Sequence, residues 1–157
     1  MTSSAREDSP GVRLYPPVYY GAGLLAGWLL SLVIPTAVPG LRTARIAGAI
    51  LFAAGFLLSA LTFAVLRLAG TDPRPDRPDK VFVVRGPFRF SRNPMYVGMS
   101  LAYLGAALWF RWLWAVLLLP LVLAVLSRRV IEREERYLER KFGAGYDRYR
   151  QRVRRWI

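Results

Sequence analysis

The stretch IAGAILFAAGFLLSALTFAVL, residues 46–66, contains no charged residue. As a helix it is long enough to cross a hydrocarbon core about 30 Å thick, which takes about 20 apolar residues. Upstream, VYYGAGLLAGWLLSLVIPTAV (18–38) is likewise uncharged; downstream, PMYVGMSLAYLGAALWF (94–110) and WLWAVLLLPLVLAVLS (112–127) are divided only by Arg111. Trp109, Phe110, Trp112 and Trp114 surround that lone charge, as aromatics do where a tight hairpin meets the membrane surface. The pattern predicts an all-α, polytopic membrane protein with four transmembrane helices at about 18–38, 46–68, 94–110 and 112–127, folded as a single domain over 17–157. The first run is too long for the core of a cleaved leader and reads as retained. Residues 1–16, opening MTSSAREDSPG, are expected to be flexible.

The chain of 157 residues is 54% hydrophobic and yet carries a formal net charge of +13, a combination unusual in a soluble globular domain. Arg6, Arg13, Arg74, Arg77, Lys80, Arg85, Arg89, Arg92 and eleven basic residues after Ser127 fall in segments 1–17, 69–93 and 128–157, which four spans place on one side. The other side carries only Arg42, Arg45 and Arg111. That asymmetry predicts an integral membrane protein with both termini and the long loop 69–93 in the cytoplasm. The excess charge reads first as topology and attraction to anionic membrane lipids. Nucleic acid is not expected as a partner, because the basic residues abut membrane spans and no recognition module is visible.

With no Cys and no His, the chain cannot form disulfides, cysteine nucleophiles, Ser-His-Asp triads or the usual zinc and haem ligand sets, so no metal site is expected. Chemistry is left to carboxylates, arginines, aromatics, amides and the backbone. Two segments bear them. The loop GTDPRPDRPDKVFVVRGPFRFSRNP (70–94) passes through a β-like run KVFVV (80–84), turns at Gly86-Pro87 and ends at Asn93-Pro94, with Asn93 as N-cap and Pro94 at the first helical position. The tail SRRVIEREERYLERKFGAGYDRYRQRVRRWI (127–157) begins as a cytoplasmic amphipathic helix, with Ile131, Leu138 and Phe142 on one stripe and Gly143 closing it. Glu134 and Glu135 each lie three or four residues from Ile131 and Leu138, bordering that stripe, whereas Glu132, Arg136 and Glu139 lie opposite. Such carboxylates either pair with neighbouring arginines or face a cationic ligand at the membrane boundary.

The order GPFRFSRNPMYVG (86–98), hydrophobic hairpin, EERYLERKFGAGYDRYRQRV (134–153) resembles the integral-membrane isoprenylcysteine carboxyl methyltransferase family and its bacterial and phospholipid-methyltransferase relatives. These are similar to GPY-x-x-x-R-(H/N)-P-x-Y-x-G followed by EE-x-x-L-x-x-x-FG-x-x-Y-x-x-Y. The likeness covers roughly residues 80–153, about half the chain; the N-terminal helices match only in being apolar. It implies S-adenosyl-L-methionine bound at the cytoplasmic membrane surface, contacted by Lys80, Val81, Phe82, Val83, Phe88, Asn93, Pro94, Met95, Tyr96 and Glu134. Arg89 and Arg92, the nearest basic residues, are the candidates for the cofactor's carboxylate. The residue types suit the ligand: a sulfonium is favoured by carboxylates and aromatic faces, and an amino-acid end by Arg or a helix N-terminus. In-line methyl transfer needs positioning more than acid–base machinery.

The implied acceptor is a small lipophilic molecule from the bilayer, either a prenylcysteine-like carboxylate or another O or S nucleophile. The alternatives are a phospholipid headgroup amine whose proton Glu135 would take, and a non-catalytic module binding anionic lipid. Two positions depart from the family pattern. Many members have His where this chain has Asn93, which cannot titrate. In the prenylcysteine-methylating branch, an Arg one turn before the key Glu meets the substrate carboxylate; here that position is Val130, with Arg129 about 100° around the helix. Glu134, Glu135 and Arg129 are therefore the catalytic candidates.

Overall fold

The computed structural model describes residues 14–72 and 81–157, so the expectations for the first thirteen residues and for Lys80 lie outside it. Among the described residues all regular structure is helical: α1 (Pro16–Val33), α2 (Leu41–Leu68), a 3-10 turn (Gly86–Arg89), α3 (Pro94–Trp109), α4 (Leu113–Leu126), a π turn (Ser127–Ile131), α5 (Glu132–Phe142) and α6 (Ala144–Arg152). Residues 81–84 of the β-like run form no strand; Phe82 packs instead against the aromatic rings of the tail helices.

The helix ends differ from expectation for identifiable reasons. α1 stops at Val33 rather than at residue 38, since Pro35 forces Ile34 into extended backbone with φ −121° and ψ 90°. α2 starts at Leu41, taking Arg42 and Arg45 into its first turns. No break separates the last span from the amphipathic helix: α4, the π turn and α5 form one continuous helical rod, Leu113–Phe142. Three helices, Pro16–Val33, Leu41–Leu68 and Leu113–Phe142, are long and apolar enough to cross a membrane. α3, at 16 residues, rises about 24 Å and falls short of that length.

α3 nevertheless lies at the centre. On one side α2 crosses it through glycines: a Cβ on Gly48 would sit 2.7 Å from the Gly105 carbonyl oxygen and the Trp109 nitrogen, and one on Gly55 would strike Gly98 O and Ala102 N. Small residues at such a crossing let two backbones approach closely in an apolar medium. The rest of α2 faces outward, with Ile50, Phe56, Leu57 and Leu61 all exposed, a surface suited to lipid. On the other side of α3, Tyr20 of α1 and Ala115, Val122 and Leu126 of α4 form the core with Tyr103 and Ala107. Its polar atoms are satisfied: the Tyr103 hydroxyl donates to Ala115 O at 2.8 Å and the Tyr20 hydroxyl to Tyr96 O at 3.0 Å.

The two ends of this bundle differ. At one, Arg111 (φ 60°) turns the α3–α4 hairpin and donates through Nε to Val38 O at 2.7 Å, while Trp114 Nε1 donates to Ile34 O at 3.1 Å. The lone charge is thus a tie between the hairpin and the α1–α2 connection. The opposite end gathers the start of α1, the end of α2 and the start of α3, where Ser59 Oγ donates to Met95 O at 3.4 Å. There the loop and tail meet.

Candidate functional site

Gly86 takes φ 60°, open to glycine at little cost, and starts the 3-10 turn whose Pro87 is buried. The expected Gly-Pro turn is present. The chain then runs through Ser91, Arg92 and Asn93 into α3 at Pro94. Asn93 occupies the N-cap position, but its side chain makes no capping hydrogen bond. The capping role is corrected: Asn93 Nδ2 donates to Arg155 O at 3.0 Å, and the Asn93 N–H donates to Ser91 Oγ at 3.0 Å.

The two sequence motifs converge here. The Tyr96 hydroxyl, on the first turns of α3, donates to Glu134 Oε1 of α5 at 2.7 Å. Arg92 Nη1 lies 3.1 Å from Glu135 Oε1, and Arg155 grips the same carboxylate with Nε at 3.1 Å and Nη2 at 2.6 Å. Arg92 and Glu135 side chains are only 12% and 13% exposed, so loss of either partner would strand a charge away from water. The hydrogen bonds to Glu135 hold the Arg155 guanidinium above its ordinary pKa. Arg92 Nη1 also reaches the Tyr146 hydroxyl at 3.5 Å. Burial, reinforced by the Glu135 charge, pushes the Tyr146 phenol up, so it remains protonated. Arg92 Nε is buried and has no hydrogen-bond partner among the described residues.

Aromatics fix the loop against the tail. Phe82 stacks on Phe142 with ring centroids 5.3 Å apart and meets Tyr146 and Tyr149 edge-on at 5.9 and 5.2 Å. The Tyr149 hydroxyl donates to Phe88 O at 2.7 Å. Val83 is buried beside this cluster in sequence, whereas Val81 is half exposed. The fold thus brings together Phe82, Phe88, Arg92, Asn93, Tyr96, Glu134 and Glu135, with Pro94 and Met95 at the helix start between them. Arg89 is exposed and joins none of these contacts, so of the two basic candidates only Arg92 is built into the cluster.

Arg129 is exposed on the π turn, beside fully buried Val130. Its expected displacement of about 100° from Val130 rests on an α-helical repeat, and the π turn, with i→i+5 bonding, changes that arithmetic. The expected apolar stripe is also shifted: Ile131 packs into the α4 core, and the buried residue of α5 is Tyr137 rather than Leu138. Tyr146 and Tyr149 stand at the two tyrosines of the family pattern, which assigns them no role, and Ser91, Arg155 and Trp156 carry no sequence expectation. The pair Val153 and Trp156, apolar and three apart in a run of arginines, was the available signal. Between α3 and α4 at this end runs a groove of about 380 Å³, walled by Val97, Leu123, Ser100 and Ser127 and by Trp156 and Ile157 of the tail.

The sequence profile described as phospholipid methyltransferase matches residues 43–145, which include the first motif and the second as far as Gly145. A protein of Haemophilus influenzae (strain ATCC 51907 / DSM 11121 / KW20 / Rd), named only as uncharacterized, is 43% identical over 63 residues, covering 40% of this chain and 100% of that protein. No solved structure matches the chain.

Proposed function

The chain belongs to the phospholipid methyltransferase family, and from that premise we propose that it is an integral-membrane methyltransferase using S-adenosyl-L-methionine on a small lipophilic acceptor. The observation that carries this reading is the meeting of the Asn93-Pro94-x-Tyr96 helix start with the Glu134-Glu135 pair, through the Tyr96–Glu134 hydrogen bond and the Arg92–Glu135 ion pair. The donor set fits the cofactor. Arg92 Nε is a buried donor without a partner among the described residues, and with the Asn93 amide it suits a carboxylate. Glu134, oriented by Tyr96, is the acid suited to face a sulfonium, and Phe88 and Val83 supply apolar surface for a purine. When bound, the cofactor supplies an activated methyl group open to in-line attack. The protein's part is to hold the two reactants in line and keep water out.

The acceptor comes from the bilayer side, and the apolar groove between α3 and α4 leads to the same end of the bundle. An acceptor that is already ionised, such as a prenylcysteine-like carboxylate, needs no base. The family's description favours a second reading, a phospholipid headgroup nitrogen. In that case Glu135 is a poor choice to take the proton, since both its oxygens are engaged by guanidiniums; Glu134 with Tyr96 is better placed. Labelled cofactor incubated with lipid extracts, followed by identification of the methylated atom, separates the two.

The proposed topology keeps four spans, α3 being the short one, with both termini and the cofactor end at the cytoplasmic face of the inner membrane, as the arginine distribution favours. A reporter fused after Ile157 that is active only outside the cytoplasm overturns it. For the activity, calorimetric titration of the solubilised protein with the cofactor or its demethylated product is decisive. No heat and no thermal stabilisation at millimolar ligand would leave a non-catalytic module whose basic tail binds anionic lipid.

A further inference from the structure

We infer that the C-terminal segment 153–157 is an autoinhibitory strap, whose main-chain carbonyls occupy the donors that would otherwise receive the carboxylate of the cofactor. This rests on the cofactor reading above. α6 ends at Arg152, and Val153 leaves it in extended conformation, φ −119° and ψ 127°. The remaining residues double back across the start of α3. Arg154 O accepts from the Arg92 backbone N–H at 3.0 Å. Arg155 O accepts from Asn93 Nδ2 at 3.0 Å and from Ser91 Oγ at 3.4 Å. Three donors from consecutive residues beside a helix N-terminus thus converge on two carbonyl oxygens, an arrangement equally suited to the two oxygens of a carboxylate.

The exchange is chemically favourable. A carboxylate makes shorter and stronger hydrogen bonds to such donors than a neutral carbonyl does, so the ligand can displace the strap. The strap's other holds lie nearer the surface: the Arg155 side chain is 37% exposed, and Trp156 is only partly buried where it packs against the core. Trp156 and Ile157 also form one wall of the groove between α3 and α4. Lifting the strap therefore frees the donors and opens the groove in one movement. Cofactor entry and access of a lipophilic acceptor are coupled through the bend at Val153.

Apparent affinity falls in proportion to the fraction of molecules competent to bind. A strap closed nine times in ten lowers it about tenfold, so removing the strap should tighten binding by up to about that factor. The test uses three chains in lipid nanodiscs: the parent, a chain ending at Val153, and Trp156→Ala, each titrated with S-adenosylhomocysteine by calorimetry. Because the protein has no cysteine, Ile157→Cys carries a single nitroxide whose mobility reports the strap directly. The expected result is tighter binding by both variants and a label that becomes mobile as the parent saturates. If the shortened chain does not fold, Trp156→Ala and the label decide. Equal affinity in all three chains, weaker binding by the variants, or a label unmoved at saturation overturns the strap alone. No binding by any of the three overturns the strap together with the function it rests on.

Discussion

The crossing of α2 with α3 and the polar end of the molecule hold the same helix by opposite means. At the crossing the contact is made chiefly of absence: Gly48, Gly55, Gly98 and Gly105 let backbone touch backbone, with Ser59 Oγ on Met95 O adding a polar contact at one end. At the polar end the N-terminus of α3 is held by side chains, with Tyr96 on Glu134, Arg92 on Glu135 and Asn93 on the tail. The first kind of contact tolerates no added volume; the second tolerates shape changes but not the loss of a charge or donor. A helix gripped rigidly along its length and electrostatically at its N-terminus can keep its packing while the groups around that N-terminus exchange partners.

Gly55→Leu should have the largest effect, because its side chain would meet the Gly98 carbonyl and the Ala102 nitrogen, neither of which can rotate away. Overpacking of this kind costs about 3 kcal/mol or more, and the variant should fail to accumulate as a monodisperse species in detergent. Normal yield and melting would break the claim that this contact is made by close backbone approach. Glu135→Gln comes next. It leaves Arg92 and Arg155 facing a neutral amide; with Arg155 partly solvated, a cost of about 2–3 kcal/mol is expected as a lower melting temperature. A smaller penalty than at an exposed pair would mean that the polar end does not depend on charge.

Glu134→Gln should leave the fold intact, since the amide oxygen still accepts from Tyr96, but weaken cofactor binding by about ten- to a hundredfold through loss of a charge-assisted contact worth about 1.5–3 kcal/mol. Glu139→Gln supplies the smallest effect. Its partner Arg150 lies 3.5 Å away and both side chains are more than 40% exposed, so stability and binding should stay within about 0.5 kcal/mol of the parent. If the two changes exchanged their effects, the assignment of α5's faces would be wrong.

The membrane half was largely legible because the absence of charge over 46–66 admits few other readings, and the Gly86-Pro87 and Asn93-Pro94 dipeptides dictate local backbone by themselves. What could not be read depends on partners distant in sequence. Asn93 looked like a cap because capping is the local use of such a residue; its amide goes instead to a carbonyl 62 positions away. Glu135 was left open between an ion pair and a ligand contact, and nothing short of the fold could say that Arg92 and Arg155 would reach it from either side. KVFVV has the composition of a strand, but residues 81–84 pair with no strand among the described residues and Phe82 packs on helices of the tail. The stripe through Leu138 failed where the helical repeat itself changes, at the π turn.

That turn, Ser127–Ile131, makes chain length a functional variable. Val130 and Ile131 are fully buried within it, while Arg128 and Arg129 are exposed. Arg128 and Arg129 should therefore accept many substitutions, and the turn is where the rod can absorb a change of length. Removing Arg129 would convert the five-residue turn to an ordinary α-helical one with little change in the direction α5 faces, whereas removing Arg133, inside α5 itself, would swing the rest of α5 by about 100° about its own axis. The lipid-embedded half of the rod would stay seated. Both carboxylates would be carried away from Tyr96 and Arg92, so the Arg133 deletion should yield a stable membrane protein unable to bind the cofactor. Length along the rod sets the phase between the apolar half that anchors and the half that carries the carboxylates.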